Sequence, residues 1–373
     1  MLKFLEAVLI LSGMIIGVGM FSIPFSFVQA GFWLGTAELV VLSAVMAIFH
    51  LLYGEVILGT EGFHRLPGYV RTYLGKWAVA IAWLSASFGI FGTLLVYLIV
   101  GSIFLASALG HFGLSAQDWM FAVLIALLGA GITFFSLKKE ALINGVLTAV
   151  LVGFIIFLSL NLLPKVNFDN LGGVNFSEAF FPYGILLFAL SGGVAIPDLV
   201  TLLGKNRSRV RLAIIIGTLV PAAVYFIFSL AVVGISGAET SEEAISGLMG
   251  LNGDVIIFWG SIIGLMAVFT SFIVLEKSFQ ALLKLDLGLP KFISWLIASF
   301  GALLFYFLGF KDFIAVIGII GALAVGADSA LILAMHKRAA FGKEFRLPLL
   351  SLIWRVSLYA LILAGVLYEL FAG

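Results

Sequence analysis

The first chemistry this sequence offers lies in its backbone. The run Ser12-Gly13-Met14-Ile15-Ile16-Gly17-Val18-Gly19-Met20-Phe21-Ser22-Ile23-Pro24 sets three glycines within seven residues and a proline shortly after them. Each glycine weakens a helix by about 1 kcal/mol relative to alanine, and Pro24 removes the amide that would bond the Met20 carbonyl. The spacing predicts a helix that breaks near Gly17 to Gly19. Inside a membrane such a break frees N–H groups on one half-helix and C=O groups on the other, which suit a carboxylate and a cation respectively. The alternative is close helix packing, since Gly13 and Gly17 form a Gly-x-x-x-Gly pair. A second run, Phe188-Ala189-Leu190-Ser191-Gly192-Gly193-Val194-Ala195-Ile196-Pro197-Asp198, repeats the same ingredients. Two interrupted helices at matching positions of two halves point to a binding site at the membrane midplane.

Ionisable side chains within apolar stretches are the next clue, because each is costly there unless paired or solvated. Glu38, Glu55, Glu276, Lys277 and Asp328 are of this kind. Glu276, Lys277 and Asp328 are candidates for lining a cytoplasmic exit or relaying protons; snorkelling and structural ion pairing are the competing readings. The four histidines, His50, His64, His111 and His336, show no metal-ligand spacing and are assigned no chemistry. Cysteine is absent, which excludes disulfides, thiolate catalysis and Cys-ligated metals; no transition metal is expected.

The elements that must position these residues follow from composition. Of 373 residues 63% are apolar and 10% charged, with mean hydropathy +1.24. This is the composition of an all-α integral membrane protein. Eleven helices of about 25 residues would use about 275 residues, leaving no stretch for a separate aqueous domain, so kinase, ATPase and nucleic-acid-binding readings fall away. Hydrophobic spans are read at 4–30, 32–58, 77–109, 119–137, 141–164, 177–201, 209–236, 251–283, 291–310, 312–335 and 347–371. The connectors on the starting side hold Arg65, Arg71, Lys76, Lys138, Lys139, Lys205, Arg207, Arg209, Arg211, Lys284, Lys337, Arg338, Lys343 and Arg346, whereas those opposite hold only Lys165 and Lys311 as bases. The positive-inside bias therefore predicts a cytoplasmic N-terminus and an external C-terminus in a cell membrane. Acids gather on the other face as Asp118, Asp169, Glu178, Glu239, Glu242, Glu243 and Asp254. The first span has no small-residue cleavage site before Gly31 and reads as a retained helix rather than a signal peptide. Segment 59–76 mixes bases with Tyr69 and Tyr73 and predicts a short interfacial helix with its rings at headgroup level.

Leu-Ser-Gly followed by Ile-Pro occurs at Leu11 to Pro24 and again at Leu190 to Pro197. The second copy lies five spans after the first, an odd offset, so it enters from the opposite side. The expected organisation is an inverted repeat with 1–164 as the first five-helix unit, 165–335 as the second, and 336–373 as an eleventh helix.

Several blocks carry a family resemblance. Ile16-Gly17-Val18-Gly19-Met20-Phe21-Ser22-Ile23-Pro24 with Gln29-Ala30-Gly31-Phe32-Trp33-Leu34-Gly35 resembles the first-helix signature of amino acid/auxin permeases and of hydroxy/aromatic amino acid permeases. Both branches belong to the amino acid, polyamine and organocation superfamily. Ile196-Pro197-Asp198-Leu199-Val200, the run Arg211 to Thr218, and Thr270-Ser271-Phe272 add to the likeness. The resemblance implies the five-plus-five fold of LeuT-type transporters with one added helix and broken helices 1 and 6.

Carried over position by position, it implies that the amides of Gly17, Val18 and Gly19 hold a substrate carboxylate. The carbonyls of Ile15, Phe188, Ala189 and Ser191 would receive the α-ammonium, with the Phe188 ring over the substrate. A sodium site would draw on Gly13, Ile16, Ala267, Thr270 and Ser271. The sequence departs from the pattern at Gly13, where many sodium-coupled members carry Asn, and lacks a His at the second break. Proton-coupled relatives can also carry Thr-Ser, so the proton remains the alternative ion; some of them place a Lys from helix 5 in the ion site, and here only Lys138 and Lys139 stand at its entrance. The resulting expectation is a symporter importing a neutral, apolar or aromatic amino acid, with no cofactor beyond the coupling ion. Its partners would be the amino acid and the bilayer, with no nucleic acid and no obligatory protein partner. A channel would want a continuous polar pore, a sensor a cytoplasmic domain, and an enzyme a catalytic spacing; none of these is read from the sequence.

Overall fold

The computed structural model describes residues 2–135, 140–204, 206–248, 254–285, 287–339 and 352–371. Lys138, Lys139, Lys205, Lys343 and Arg346 of the expected basic face lie outside them. The described chain is helical throughout: α1 (Leu2–Ile15), α2 (Ile23–Ala30), α3 (Phe32–Leu58), α4 (Leu66–Leu74), α5 (Lys76–Gly110), α6 (Asp118–Phe135), α7 (Glu140–Leu162), α8 (Phe181–Ala189), α9 (Ile196–Leu203), α10 (Arg207–Ser236), α11 (Asp254–Leu285), α12 (Lys291–Phe307), α13 (Phe313–Ile319), α14 (Gly326–Arg338) and α15 (Leu352–Phe371). All-helical structure is what a bilayer demands, since every backbone polar group must be bonded within its own segment.

Among the described residues nine helices are long and apolar enough to cross a membrane, and ten if the bent pair Leu2–Ile15 and Val18–Ala30 is one span. The 17 residues of α12 form a shorter apolar helix that rises about 26 Å, near the lower limit for crossing. The expected stretch at 312–335 runs as α13, a π-helical turn over Ile320–Val325, and α14.

The core is a stack of tightly packed helices. α11 lies along α5 and α7, α10 lies against α1 and α3, and α8 packs on the π-helical turn. Lipid tails are as apolar as leucine, so packing rather than the hydrophobic effect holds such helices together. Phe21 in the bend after α1 shows how: its ring meets Phe104 of α5 edge-on at 5.1 Å and Phe228 of α10 at 6.4 Å. Such pairs contribute about 0.5–1.5 kcal/mol each beyond simple burial.

Two expectations change. The short helix in 59–76 is present as α4, but Tyr69 does not sit among headgroups; its ring is fully buried, edge-on to Tyr53 at 5.8 Å. The reason is that α4 folds back onto α5 and α14 instead of lying along the surface. Gly13 and Gly17 are not a packing pair either, because a Cβ at either position would meet nothing within 4 Å. On the acid-rich face, Glu242 is pushed above the ordinary carboxylate range by burial and by neighbouring Asp312 and Glu243.

Candidate substrate site

α1 stops at Ile15, and Ile16 makes the last helical bond, N–H to the Ser12 carbonyl at 2.8 Å. Gly17 is extended (φ −141°, ψ −157°), Val18–Ser22 form a 3-10 turn, and α2 restarts with Pro24 in its first turn, 53° off the axis of α1. Pro24 is well placed there because the first turn of a helix has no use for its missing N–H. Among the described residues no backbone carbonyl accepts from the amides of Gly17, Val18 or Gly19. Free amides at a helix interruption are the kind of group that suits an anion.

The second run behaves likewise. α8 ends at Ala189, Leu190 and Ser191 close it with bonds to Leu186 (2.9 Å) and Phe188 (3.1 Å), and a 3-10 turn over Gly193–Ala195 leads into α9. The two interruptions touch. A Cβ on Gly19 would lie 2.9 Å from Phe188 Cδ1, 3.0 Å from Ala189 Cα and 3.1 Å from Ala189 Cβ. Gly19, Phe188 and Ala189 are thus brought together as the sequence implies.

Two side chains that sequence reasoning left out hold this junction. The Tyr225 hydroxyl of α10 lies 2.7 Å from the Ile15 carbonyl and 2.9 Å from the Ala189 carbonyl. His50 of α3 accepts from the Gly192 amide at Nε2 (3.2 Å), which leaves the ring proton on Nδ1 to donate to Thr218 Oγ1 at 3.0 Å. Both rings are buried, His50 at 2% exposure and Tyr225 at none. Tyrosine favours membrane interfaces, so a tyrosine in the middle of a long apolar helix was the available signal. Ser12 adds a second tie between α1 and α10, donating to the Gly217 carbonyl at 3.2 Å.

Beside the first break lies a small pocket of about 10 Å³, roughly the space of one water, whose lining includes Ile16, Gly17, Tyr97, Thr148, Ala267 and Ser271. Of the five expected sodium ligands, Ile16, Ala267 and Ser271 line it. Gly13 is exposed and outside the lining, and Thr270 donates to its own helix, at 3.0 Å from the Met266 carbonyl and 3.1 Å from that of Ala267. Tyr97 and Thr148 are oxygen-bearing residues the sequence did not single out; the Tyr97 and Ser271 side chains are hydrogen-bonded.

The charged candidates are dispersed. Glu276 is fully buried: its Oε1 accepts from Thr133 of α6 (2.7 Å), Ser299 of α12 and Gln280 (3.3 Å), while among the described residues Oε2 has no hydrogen-bond partner. Lys277 is half-buried one residue on. Asp328 of α14 accepts from Ser85 of α5 at 2.7 Å. Glu55, at 2% exposure, bridges Arg211 (2.7 Å) and His336 (2.9 Å), so two residues to which the sequence assigns no chemistry, His336 and Arg211, tie α3, α10 and α14 together.

Comparison with known proteins agrees with this architecture. The fold is similar to the crystal structures of an Eremococcus coleocola manganese transporter in complex with an aromatic bis-isothiourea compound (TM-score 0.64, 13% identity, 99% of this chain, 87% of that one) and of MhsT in complex with L-phenylalanine (TM-score 0.62, 14% identity, 98% and 97%). At this identity the likeness concerns the LeuT-type fold alone. Two Haemophilus influenzae proteins resemble the chain in sequence: tyrosine-specific transport system 2 (28% identity over 241 residues) and system 1 (24% over 238). Each alignment covers 62% of this chain, and the chain spans 58% of the length of these relatives. The tryptophan/tyrosine permease family matches residues 1–327, which takes in both helix breaks and the Tyr225 and His50 contacts between them. The chain belongs to that family of multi-pass membrane permeases.

Proposed function

We propose that this protein is a secondary active symporter that imports an aromatic amino acid by alternating access, with sodium as the coupling ion. The reading takes the chain as eleven spans, counting α12 as one, in a five-plus-five inverted repeat over 1–164 and 165–335 with 336–373 added, the N-terminus cytoplasmic and the C-terminus external. One observation carries it: two helix interruptions meet at Gly19 and Phe188, with the amides of Gly17, Val18 and Gly19 on one side of the junction given to no backbone carbonyl among the described residues. A zwitterion needs donors at one end and acceptors at the other, and opposed helix breaks supply both. Ile15, Phe188, Ala189 and Ser191 supply the carbonyl end in this assignment. An aromatic substrate is favoured by the tyrosine-specific systems among its relatives. The test is uptake of labelled aromatic amino acids into proteoliposomes with sodium and proton gradients imposed independently.

The Phe188 ring is half-buried against Gly19, and this reading lays it over the substrate side chain. Phe188→Ala is then expected to weaken tyrosine uptake about fivefold while barely changing alanine competition, since about 40 Å² of lost ring contact is worth about 1 kcal/mol. An equal loss for both ligands would make Phe188 scaffold.

Sodium is assigned to the cavity lined by Ile16, Ala267 and Ser271, with Gly13 and Thr270 completing the set on a small rearrangement. The combined change Thr270→Val and Ser271→Ala removes two hydroxyls at nearly constant volume. It should raise the sodium needed for half-maximal uptake at least about tenfold, each contact being worth about 1 kcal/mol. The bond of Thr270 to its own helix favours a second reading, proton coupling. In that case uptake survives replacement of sodium by choline, collapses with a protonophore, and loses its pH dependence in Glu276→Gln or Asp328→Asn.

A further inference from the structure

Tyr225 has one hydroxyl proton and two carbonyl oxygens within bonding distance of it, Ile15 at 2.7 Å and Ala189 at 2.9 Å. A phenol donates one hydrogen bond at a time, so at any moment one carbonyl lacks that donor. Both carbonyls lie at the last residue of a helix that stops, where no amide further along the chain is in position to bond them. They belong to chain segments 174 residues apart, 15 and 189, and the same Oη joins them. The phenol is rigid beyond two torsions and fully enclosed, so it fixes the separation of the two oxygens.

We propose that Tyr225 is the positioning residue for the substrate α-ammonium. Its oxygen holds the Ile15 and Ala189 carbonyls at a spacing where a second donor, the ammonium, can bond the lone pairs the phenol leaves free. Each carbonyl has two lone pairs, which allows both partners at once. Tyr225 acts through those carbonyls and does not itself touch substrate. A preset spacing spares the bound state the cost of ordering two loop ends, and that is where its affinity arises. The inference rests on the amino acid transport reading above and adds to it the residue that sets the ammonium end.

The experiment measures uptake of labelled L-tyrosine into proteoliposomes, with N-methyl-L-tyrosine and L-tyrosine amide as competitors. N-methylation removes one ammonium N–H; the amide alters the carboxylate end and leaves the ammonium intact. Tyr225→Phe is expected to raise KM about tenfold with maximal rate within about twofold, the fold-change of losing one hydrogen bond near a charge. The discrimination against N-methylation should fall at least about threefold, while discrimination against the amide stays as in wild type. Placing 3,5-difluorotyrosine at 225 keeps the hydroxyl and should return KM to near the wild-type value. An unchanged KM, an equal change in both discriminations, or no rescue by the fluorinated residue overturns the assignment. Should Tyr225→Phe not yield monodisperse protein, the fluorinated variant decides alone: its stronger donor must change the N-methyl discrimination and spare that of the amide, and no difference overturns the proposal. Wild-type protein that takes up no L-tyrosine would sink the transport reading itself, a failure visible before any variant is made.

Discussion

Gly19→Leu should lower uptake by at least about a hundredfold while the protein still inserts. A Cβ at Gly19 meets Phe188 Cδ1 at 2.9 Å and Ala189 Cα and Cβ at 3.0 and 3.1 Å, so even alanine forces the two breaks apart, and a branched side chain fills the space between them. Overpacking of this kind costs about 1–3 kcal/mol for small insertions, and 2.7 kcal/mol is roughly a hundredfold in affinity. Gly17 is the internal control. Its backbone is extended in a way any residue adopts, and a Cβ there meets nothing within 4 Å. Gly17→Ala should therefore leave the melting temperature in detergent unchanged, whereas Gly19→Ala should lower it. Near-normal uptake by a monodisperse Gly19→Leu protein would refute the placement of substrate at the junction.

Glu276→Ala is expected to cost about 3 kcal/mol of stability or more. The carboxylate oxygen Oε1 gathers donors from α6, α11 and α12, and losing it strands the buried Thr133 and Ser299 and the half-buried Gln280. An unpartnered buried donor costs about 1–3 kcal/mol, and the cavity adds to it. Thr133 has a fallback acceptor in the Ala130 carbonyl at 3.2 Å, which limits the total. Glu276→Gln retains an acceptor at the same place and should keep most of the stability. Thermal unfolding followed by size-exclusion recovery measures both, and an unaltered Glu276→Ala midpoint would remove Glu276 from the architecture.

The helix breaks were legible in the sequence because they are written in backbone chemistry. Glycine density and a following proline act within one turn, and no partner is needed to read them. The same holds for α4, where Pro67 and Gly75 bracket the helix. The residues that fix the breaks relative to each other were not legible. Tyr225 finds partners 210 and 36 positions away, and His50 joins Gly192 and Thr218 across 142 and 168. Local periodicity carries no trace of such pairings. Glu276 was noticed as a costly charge, but its actual solution, three neutral donors on one oxygen, depends on which faces of α6 and α12 meet α11. The hydroxyl of Thr270 shows the converse: a residue type that fits an ion site by pattern is, in this conformation, bonded to the carbonyl four residues back.

The π-helical turn at Ile320–Val325 adds one residue to an otherwise α-helical run. An α-helix advances about 100° per residue, so that surplus residue sets the azimuth of everything that follows. Asp328 reaches Ser85, and His336 reaches Glu55, only in this phase. Deleting a single residue between 320 and 325 would straighten the helix and swing both side chains a quarter turn or more, away from these partners. The chain beyond this turn consequently tolerates substitution far better than it tolerates a change in length, and homologues that align across it without a gap share its phase.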